Sequence, residues 1–257
     1  MSTRLPVLVA SCSGRTRNLS VCFPAARGRS PEEQERVGQA LARRGLEAGC
    51  VLYTGFEQLR NTSWATRSED ARAWIAGELN EAVTVAKRVG SRRLAVLAGA
   101  DQQRPLALQQ AAMADHLRWA GDLVAQSGMT LCLETLSRKS IPGMLLQHIP
   151  DAYAVARAAD HPAVRLIFDT AHVQIMDGDL LFHLDQVWEM VEIVQLADNP
   201  GRFEPGTGEI NFQSVLRSLS HRRYQGLIEL EHGWEQPCLE SERRGLETLR
   251  RLDAALS

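Results

Sequence analysis

Three acidic residues and one amide fall at the ends of strand-like segments in the second half of the chain. MTLCLE closes on Glu134, VRLIFD on Asp169 and LIELE on Glu231. EIVQLAD carries Gln195 on the same alternating face as Ile193 and Ala197, with Asp198 at its exit. One acid at a strand end is ordinarily a helix cap or a solvated loop residue. Four oxygen donors arriving at one rim are a different matter, because like charges in a partly dry pocket raise one another's pKa unless something neutralises them. A divalent cation does so, and an oxygen-only donor set of Glu134, Asp169, Gln195 and Glu231 favours Mg²⁺ or Mn²⁺ over Zn²⁺, which histidine or cysteine would support better. Glu229 shares a face with Glu231 because side chains alternate along a strand. Glu231 is the nearer to the strand's exit, which leaves Glu229 as a deeper carboxylate in need of a partner.

Two further residues flank this rim. His172 follows Asp169 by three positions in DTAHVQIMDGDL, so it is a candidate participant rather than only a structural hydrogen-bonder. The segment VQLADNPGRFEPGTGEINF leaves the seventh strand beside Gln195. Its glycines, Gly201, Gly206 and Gly208, permit backbone conformations that set amides against a small ligand, while Pro200 and Pro205 stiffen the path. Arg202 offers a planar fork for a carboxylate or for vicinal oxygens. The plainer alternative is a surface loop in which Arg202 pairs with Glu204 or Glu209.

Residues placed this way need a scaffold that ends several strands at one mouth. Strand-like stretches near Leu5–Ala10, Leu19–Phe23, Glu47–Tyr53, Leu94–Ala98, Met129–Glu134, Val164–Asp169, Glu192–Ala197 and Leu227–Glu231 alternate with segments whose apolar residues recur every three or four positions. That alternation predicts repeated βα units around a parallel sheet. With 257 residues and no linker, the chain is expected to form one domain, 1–257, a TIM (β/α)8 barrel of the usual size of about 250 residues. The carboxyl ends of its strands would then form the functional face. Only residues 11–18 separate the first two candidate strands, fewer than the dozen or so that a parallel crossover needs. The first βα unit is therefore expected to be abbreviated or irregular.

Composition narrows the classes. A formal net charge of -2 argues against a nucleic-acid partner, and the short runs Arg92-Arg93, Arg222-Arg223 and Arg243-Arg244 read as solvated surface. Five cysteines without CxxC spacing indicate a reducing compartment, hence a cytoplasmic location, and read as small hydrophobes rather than nucleophiles. No apolar run approaches the roughly 18 residues of a membrane span. RLPVLVASCSG reads as a first strand rather than a signal peptide.

LETLSRKSIPG, FDTAHVQIMDGDL, VQLADNPGRFEPGTGEINF and YQGLIELEHGW, in this order, resemble the hydroxypyruvate isomerase family of the xylose-isomerase-like TIM barrels, which includes the 2-oxo-tetronate isomerases. The likeness is firm from about residue 128 to 234 and looser before that. It implies an isomerase of small hydroxy-keto acids, such as hydroxypyruvate to tartronate semialdehyde or 2-dehydrotetronate to 3-dehydrotetronate. It also implies Glu134 and Glu231 as an acid/base pair and metal ligands, Asp169 and Gln195 as further ligands, His172 and Arg202 on the substrate, and association into a homo-oligomer. In the mechanism this suggests, Lys139 assists Arg202 in clamping the substrate carboxylate. The related ketose 3-epimerases place histidine where Gln195 stands, which favours an isomerase of small acids. The family usually has asparagine at Ser137, an acidic end to the second strand where this chain reads LSVCF, and a complete first βα unit. Two rivals remain: a ketose 3-epimerase with a roomier pocket, and a non-catalytic sugar-acid-binding paralogue. An endonuclease IV-like hydrolase would need a histidine-rich zinc cluster and a basic groove, and neither is present.

Overall fold

The computed structural model describes residues 19–21 and 24–254. Strands β1 (Leu19–Val21), β2 (Glu47–Ala48), β3 (Cys50–Leu52), β4 (Arg93–Val96), β5 (Thr130–Leu133), β6 (Val164–Asp169), β7 (Val191–Leu196) and β8 (Leu227–Leu230) form one sheet in the order β2-β1-β8-β7-β6-β5-β4-β3. All seven pairings are parallel. The two ends of that order, β2 and β3, are separated in the chain only by Gly49. The sheet therefore closes on itself through a single segment that pairs with β1 before the glycine and with β4 after it. This is the TIM-barrel fold expected from the alternation of strand and helix.

The expected strand Leu5–Ala10 lies outside the described residues. Within them, β1 sits between β8 and β2, and helix α1 (Pro31–Ala42) provides the crossover to β2. The short crossover expected before Leu19 also lies outside the described residues; within them, the candidate strand Glu47–Tyr53 is split at Gly49 into β2 and β3. Local signals explain where the helices begin and end. Ser30 and Glu33 form a reciprocal capping box on α1, and Ser68 caps α2 (Glu69–Val89), which stops at Gly90 with φ 82°. Such caps satisfy amides that the first turn leaves without partners, and glycine takes the left-handed exit without a Cβ penalty. Helices α3 (Leu106–Ala125), α4 (Ile149–Ala159), α5 (Thr170–Met176), α6 (Leu180–Val187), α7 (Phe212–His221) and α8 (Leu239–Ala254) complete the outer layer. No helix among the described residues is long and apolar enough to cross a membrane.

Two apolar layers follow from the period of two along each strand. One set, including Val51, Leu94, Val96, Leu131, Leu133, Leu166, Phe168 and Val194, packs outward against the helices. The alternate set, Cys50, Leu52, Ala95, Leu97, Cys132, Ile167, Ile193 and Leu227, fills the lumen. Cys50 and Cys132 are buried thiols, as the hydrophobe reading predicts.

The amino-terminal mouth of the lumen holds an ion cluster that corrects the reading of Arg93 as solvated surface. Its Nε donates to Glu192 Oε1 at 2.7 Å and Nη1 to Glu47 Oε1 at 2.6 Å. Arg222 is likewise engaged, pairing with Asp185 and lying 5.0 Å above the Trp188 ring.

Candidate functional site

The lumen phase positions the site. Adding two to Cys132, Ile167 and Ile193 gives Glu134, Asp169 and Gln195, and adding two and then four to Leu227 gives Glu229 and Glu231. All five therefore point inward toward the carboxyl end of the sheet. The strand register sets their order, because Asp169 pairs with Gln195 across β6 and β7, and Gln195 with Glu229 across β7 and β8. Asp169, Gln195 and Glu229 are fully buried, Glu134 is 5% exposed and His172 1%.

Asp169 does two things. Its Oδ1 accepts the His172 N–H at 2.9 Å and caps α5, which is the ordinary role of a strand-end acid. Its Oδ2 instead accepts Arg202 Nη2 at 2.7 Å, and the same guanidinium nitrogen lies 3.2 Å from Glu231 Oε2. His172 Nε2 stands 4.0 Å from Glu134 Oε1 and 3.9 Å from Asp169 Oδ2. One ligand atom each from Glu134, Asp169 and His172 lies within 4.8 Å of the others.

The electrostatics follow from burial with too few cations. Glu134 is pushed well above the usual carboxylate range by burial, then by the negative charges of Glu231 and Asp169. Burial raises Glu231 to about 7, although Arg202 beside it pulls the other way. Burial also works against ionised Asp169, but His172 and Arg202 outweigh it and hold that carboxyl below its ordinary value. His172 is pushed down by burial and by Arg202, against the pull of Asp169. Its Nδ1 accepts the Ser137 N–H at 3.4 Å, which places the proton of the neutral ring on Nε2, the atom that faces Glu134 and Asp169.

Several buried polar atoms here have no hydrogen-bond partner among the described residues: Gln195 Oε1, His172 Nε2 and Arg202 Nε, while Glu231 Oε2 has only the Arg202 ion pair. Buried polar atoms are satisfied nearly everywhere else in folded proteins, so a cluster of such atoms marks unspent binding capacity. The carboxyls of Glu134 and Glu231 and the amide oxygen of Gln195 beside Asp169 suit a hard divalent cation. With Nδ1 engaged by Ser137, the neutral His172 ring presents Nε2–H as a donor toward ligand oxygen.

The loop after β7 removes one alternative and corrects one expectation. Arg202, at φ 56°, pairs neither with Glu204 nor with Glu209. Glu204 Oε2 accepts the Glu235 N–H at 3.0 Å, and Glu209 Oε1 accepts Asn199 Nδ2 at 2.7 Å. The amides of Gly206 and Gly208 do not wait for a ligand either. Both donate at 2.8 Å to Asp198 Oδ2, while Asn199 and Ile210 donate to Oδ1 at 2.9 and 3.1 Å. Asp198 is thus a buried anion around which the loop winds. A Cβ at position 208 would meet Asn199 O at 2.3 Å and Asp198 Oδ1 at 2.6 Å, which is why glycine stands there. The sequence placed Asp198 at the strand exit but gave it no task; three glycines following it were the available signal. Lys139 is exposed on the loop after β5 and joins no hydrogen bond or ion pair among the described residues. His232, at the end of β8, turns Nδ1 to the Gly233 carbonyl and packs edge-on against Trp234.

The sequence profile described as xylose isomerase-like TIM barrel matches residues 18–254. A 2-oxo-tetronate isomerase of Pectobacterium atrosepticum is 32% identical over 136 residues, which cover 49% of this chain and 52% of the relative. A hydroxypyruvate isomerase of Escherichia coli is 27% identical over 167 residues, covering 65% of this chain and 63% of the relative. The chain thus spans between about half and two thirds of the length of these two relatives. Among solved structures, a D-tagatose 3-epimerase-like protein superposes with a TM-score of 0.75 at 17% identity, over 93% of this chain and 89% of the other, a likeness of fold.

Proposed function

The chain belongs to the xylose isomerase-like TIM-barrel family, alongside its hydroxypyruvate isomerases, and from that premise we propose that it interconverts small hydroxy-carbonyl acids by proton transfer between Glu134 and Glu231. The observation that carries this reading is a pair of lumen carboxyls, Glu134 buried and Glu231 with its side chain 19% exposed, both pushed above their ordinary range and sharing Asp169 and Arg202 as neighbours. A base poised near neutrality is what abstraction of a proton next to a carbonyl requires, because it is both free enough to accept the proton and acidic enough to return it.

For hydroxypyruvate, one glutamate takes a proton from the hydroxyl-bearing carbon, and the electron pair moves to give a planar enediolate. The neighbouring carbon then receives a proton from the other glutamate, and the hydroxyl proton passes to the former carbonyl oxygen, so no atom is gained or lost. His172 donates from Nε2 to the oxygen that gains charge. Arg202 holds the substrate carboxylate and fixes its orientation. Glu134, Asp169, Gln195 and Glu231 would hold a divalent cation, Mg²⁺ or Mn²⁺, whose charge stabilises vicinal oxygens.

Arg202 also separates this reading from a ketose 3-epimerase, since a guanidinium in the pocket matches an anionic substrate and gives a neutral ketose no counter-charge. The test is turnover, followed by proton NMR, of hydroxypyruvate and 2-dehydrotetronate against a panel of neutral ketoses, with and without Mn²⁺. Conversion of the acids alone is expected. Conversion of ketoses alone would make the protein an epimerase, and thermal stabilisation by a hydroxy acid without conversion of anything would make it a binding protein.

A further inference from the structure

We infer that Glu229 is a positioning residue: its carboxylate fixes the Gln195 amide so that Oε1, and not Nε2, faces the candidate cation site. This role presupposes that Gln195 is a cation ligand, as proposed above.

A glutamine amide carries an acceptor on one side and two donors on the other, and the two orientations have nearly the same shape. Packing alone cannot choose between them; a hydrogen-bond partner can. Glu229 is that partner. It is fully buried and lies beside Gln195 in the β7–β8 register. Its Oε1 accepts the Cys50 N–H at 2.7 Å, and its Oε2 accepts Gln195 Nε2 at 3.0 Å, with the Cys50 thiol 3.6 Å away. A carboxylate oxygen offers lone pairs, so the amide must present its nitrogen to Glu229. Among the described residues Gln195 Oε1 is then left buried without a hydrogen-bond partner, on a strand whose register neighbour at that level is Asp169. Anchoring of Glu229 depends in turn on the break in the sheet, since Cys50 is the first residue after Gly49, where the chain exchanges β1 for β4 as its partner. The irregular N-terminal part of the barrel thereby reaches the site through one backbone N–H and one carboxylate.

Outer groups that orient a ligand typically contribute about 10–100-fold to metal affinity. The experiment is calorimetric titration of the metal-free full chain with Mn²⁺, alongside its thermal midpoint, for wild type, Glu229→Gln, Gln195→Leu and the swapped double variant Gln195→Glu/Glu229→Gln. Glu229→Gln should bind Mn²⁺ about 10–100-fold more weakly with an unchanged or higher metal-free midpoint. The swap should restore most of the loss, because the new amide donates to the new carboxylate and leaves that group's second oxygen toward the site. Weakened binding in Gln195→Leu with wild-type affinity in Glu229→Gln overturns the positioning role and leaves Gln195 as a ligand. Wild-type affinity in Gln195→Leu, or no Mn²⁺ binding by the wild type, removes the premise and the role together. If Glu229→Gln does not fold, Glu229→Asp takes its place, since the shortened carboxylate must also weaken Mn²⁺ binding.

Discussion

The two mouths of the barrel each bring one arginine to face glutamates and aspartates, and they use it differently. At the amino-terminal mouth Arg93 spans from β4 to Glu47 of β2 and Glu192 of β7 with two short contacts. Burial works against the Arg93 charge, yet the two carboxylates more than compensate and hold it protonated. Both glutamates reach solvent, with side chains 44% and 28% exposed, so the surplus negative charge is hydrated. At the carboxyl-terminal mouth Arg202 meets Asp169 and Glu231 with Glu134 close by; Asp169 and Glu134 are buried, and the Glu231 side chain is 19% exposed. Two of those three are driven above their normal range, and several donors and acceptors are left over. Residue types therefore do not distinguish the two clusters. Satisfaction does: among the described residues Arg93 pairs with both of its glutamates, whereas the upper cluster keeps buried polar atoms without hydrogen-bond partners. This matches the usual division of such barrels, in which the amino-terminal face serves stability and the carboxyl-terminal face chemistry.

Exchanging the fates of the two arginines should break the comparison most visibly. Arg202→Met is expected to lower kcat/KM for hydroxypyruvate by about 100-fold, since a hydrogen bond to a charged group is worth about 1.5–3 kcal/mol. Arg93→Met should leave kcat/KM of the folded protein within about two-fold but destabilise it by roughly 1–3 kcal/mol, an amount reduced from a fully buried pair by the solvent around its partners. Steady-state kinetics together with urea denaturation separates the two. Equal effects of both variants on kinetics would remove the distinction between the mouths.

A smaller effect is expected from Asp198→Asn. The change keeps the side chain's shape but replaces one acceptor oxygen with a donor facing the Gly206 and Gly208 amides, or those of Asn199 and Ile210. The loop should loosen, raising KM about 10-fold with less change in kcat, as expected when a buried acceptor network is broken by about 1.4 kcal/mol. An unchanged KM would mean that Arg202 does not depend on this anion for its place.

The gentlest test is the pH dependence of stability without metal. Glu231 binds its proton more tightly in the folded chain, with a pKa near 7 against an ordinary 4.5. Between those values the native state holds more protons than the unfolded one, so this contribution is complete below about pH 4.5 and is lost as pH rises through 7. The slope it adds is at most about 1.4 kcal/mol per pH unit for one proton. Thermal midpoints of metal-free wild type should fall over that window more steeply than those of Glu231→Gln, and identical slopes would contradict the assignment.

Much of this site was legible in the sequence because it depends on local periodicity. Once MTLCLE, VRLIFD, EIVQLAD and LIELE are read as strands, alternation alone turns Glu134, Asp169, Gln195 and Glu231 to one side, and leaves Glu229 deeper with a partner to find. What the sequence did not reveal depends on closure of the barrel. Arg93 lies 46 residues from Glu47 and 99 from Glu192, and only the ring brings them together. The role of Asp198 was hidden for another reason. The glycines of its loop were read as offering amides outward to a ligand, whereas they fold back onto the preceding carboxylate. Lys139, which the sequence reading put beside a substrate carboxylate, is exposed on the loop after β5.

The central claim is that Glu134 and Glu231 move the proton. It is tested most directly by the rate at which the carbon-bound protons of hydroxypyruvate exchange with D₂O, followed by proton NMR in the presence of Mn²⁺, in the wild type, Glu134→Gln and Glu231→Gln. Each variant should slow exchange by about 10²–10⁴-fold, the usual contribution of a positioned acid or base. Wild-type exchange in both variants, with Mn²⁺ bound, would contradict the account.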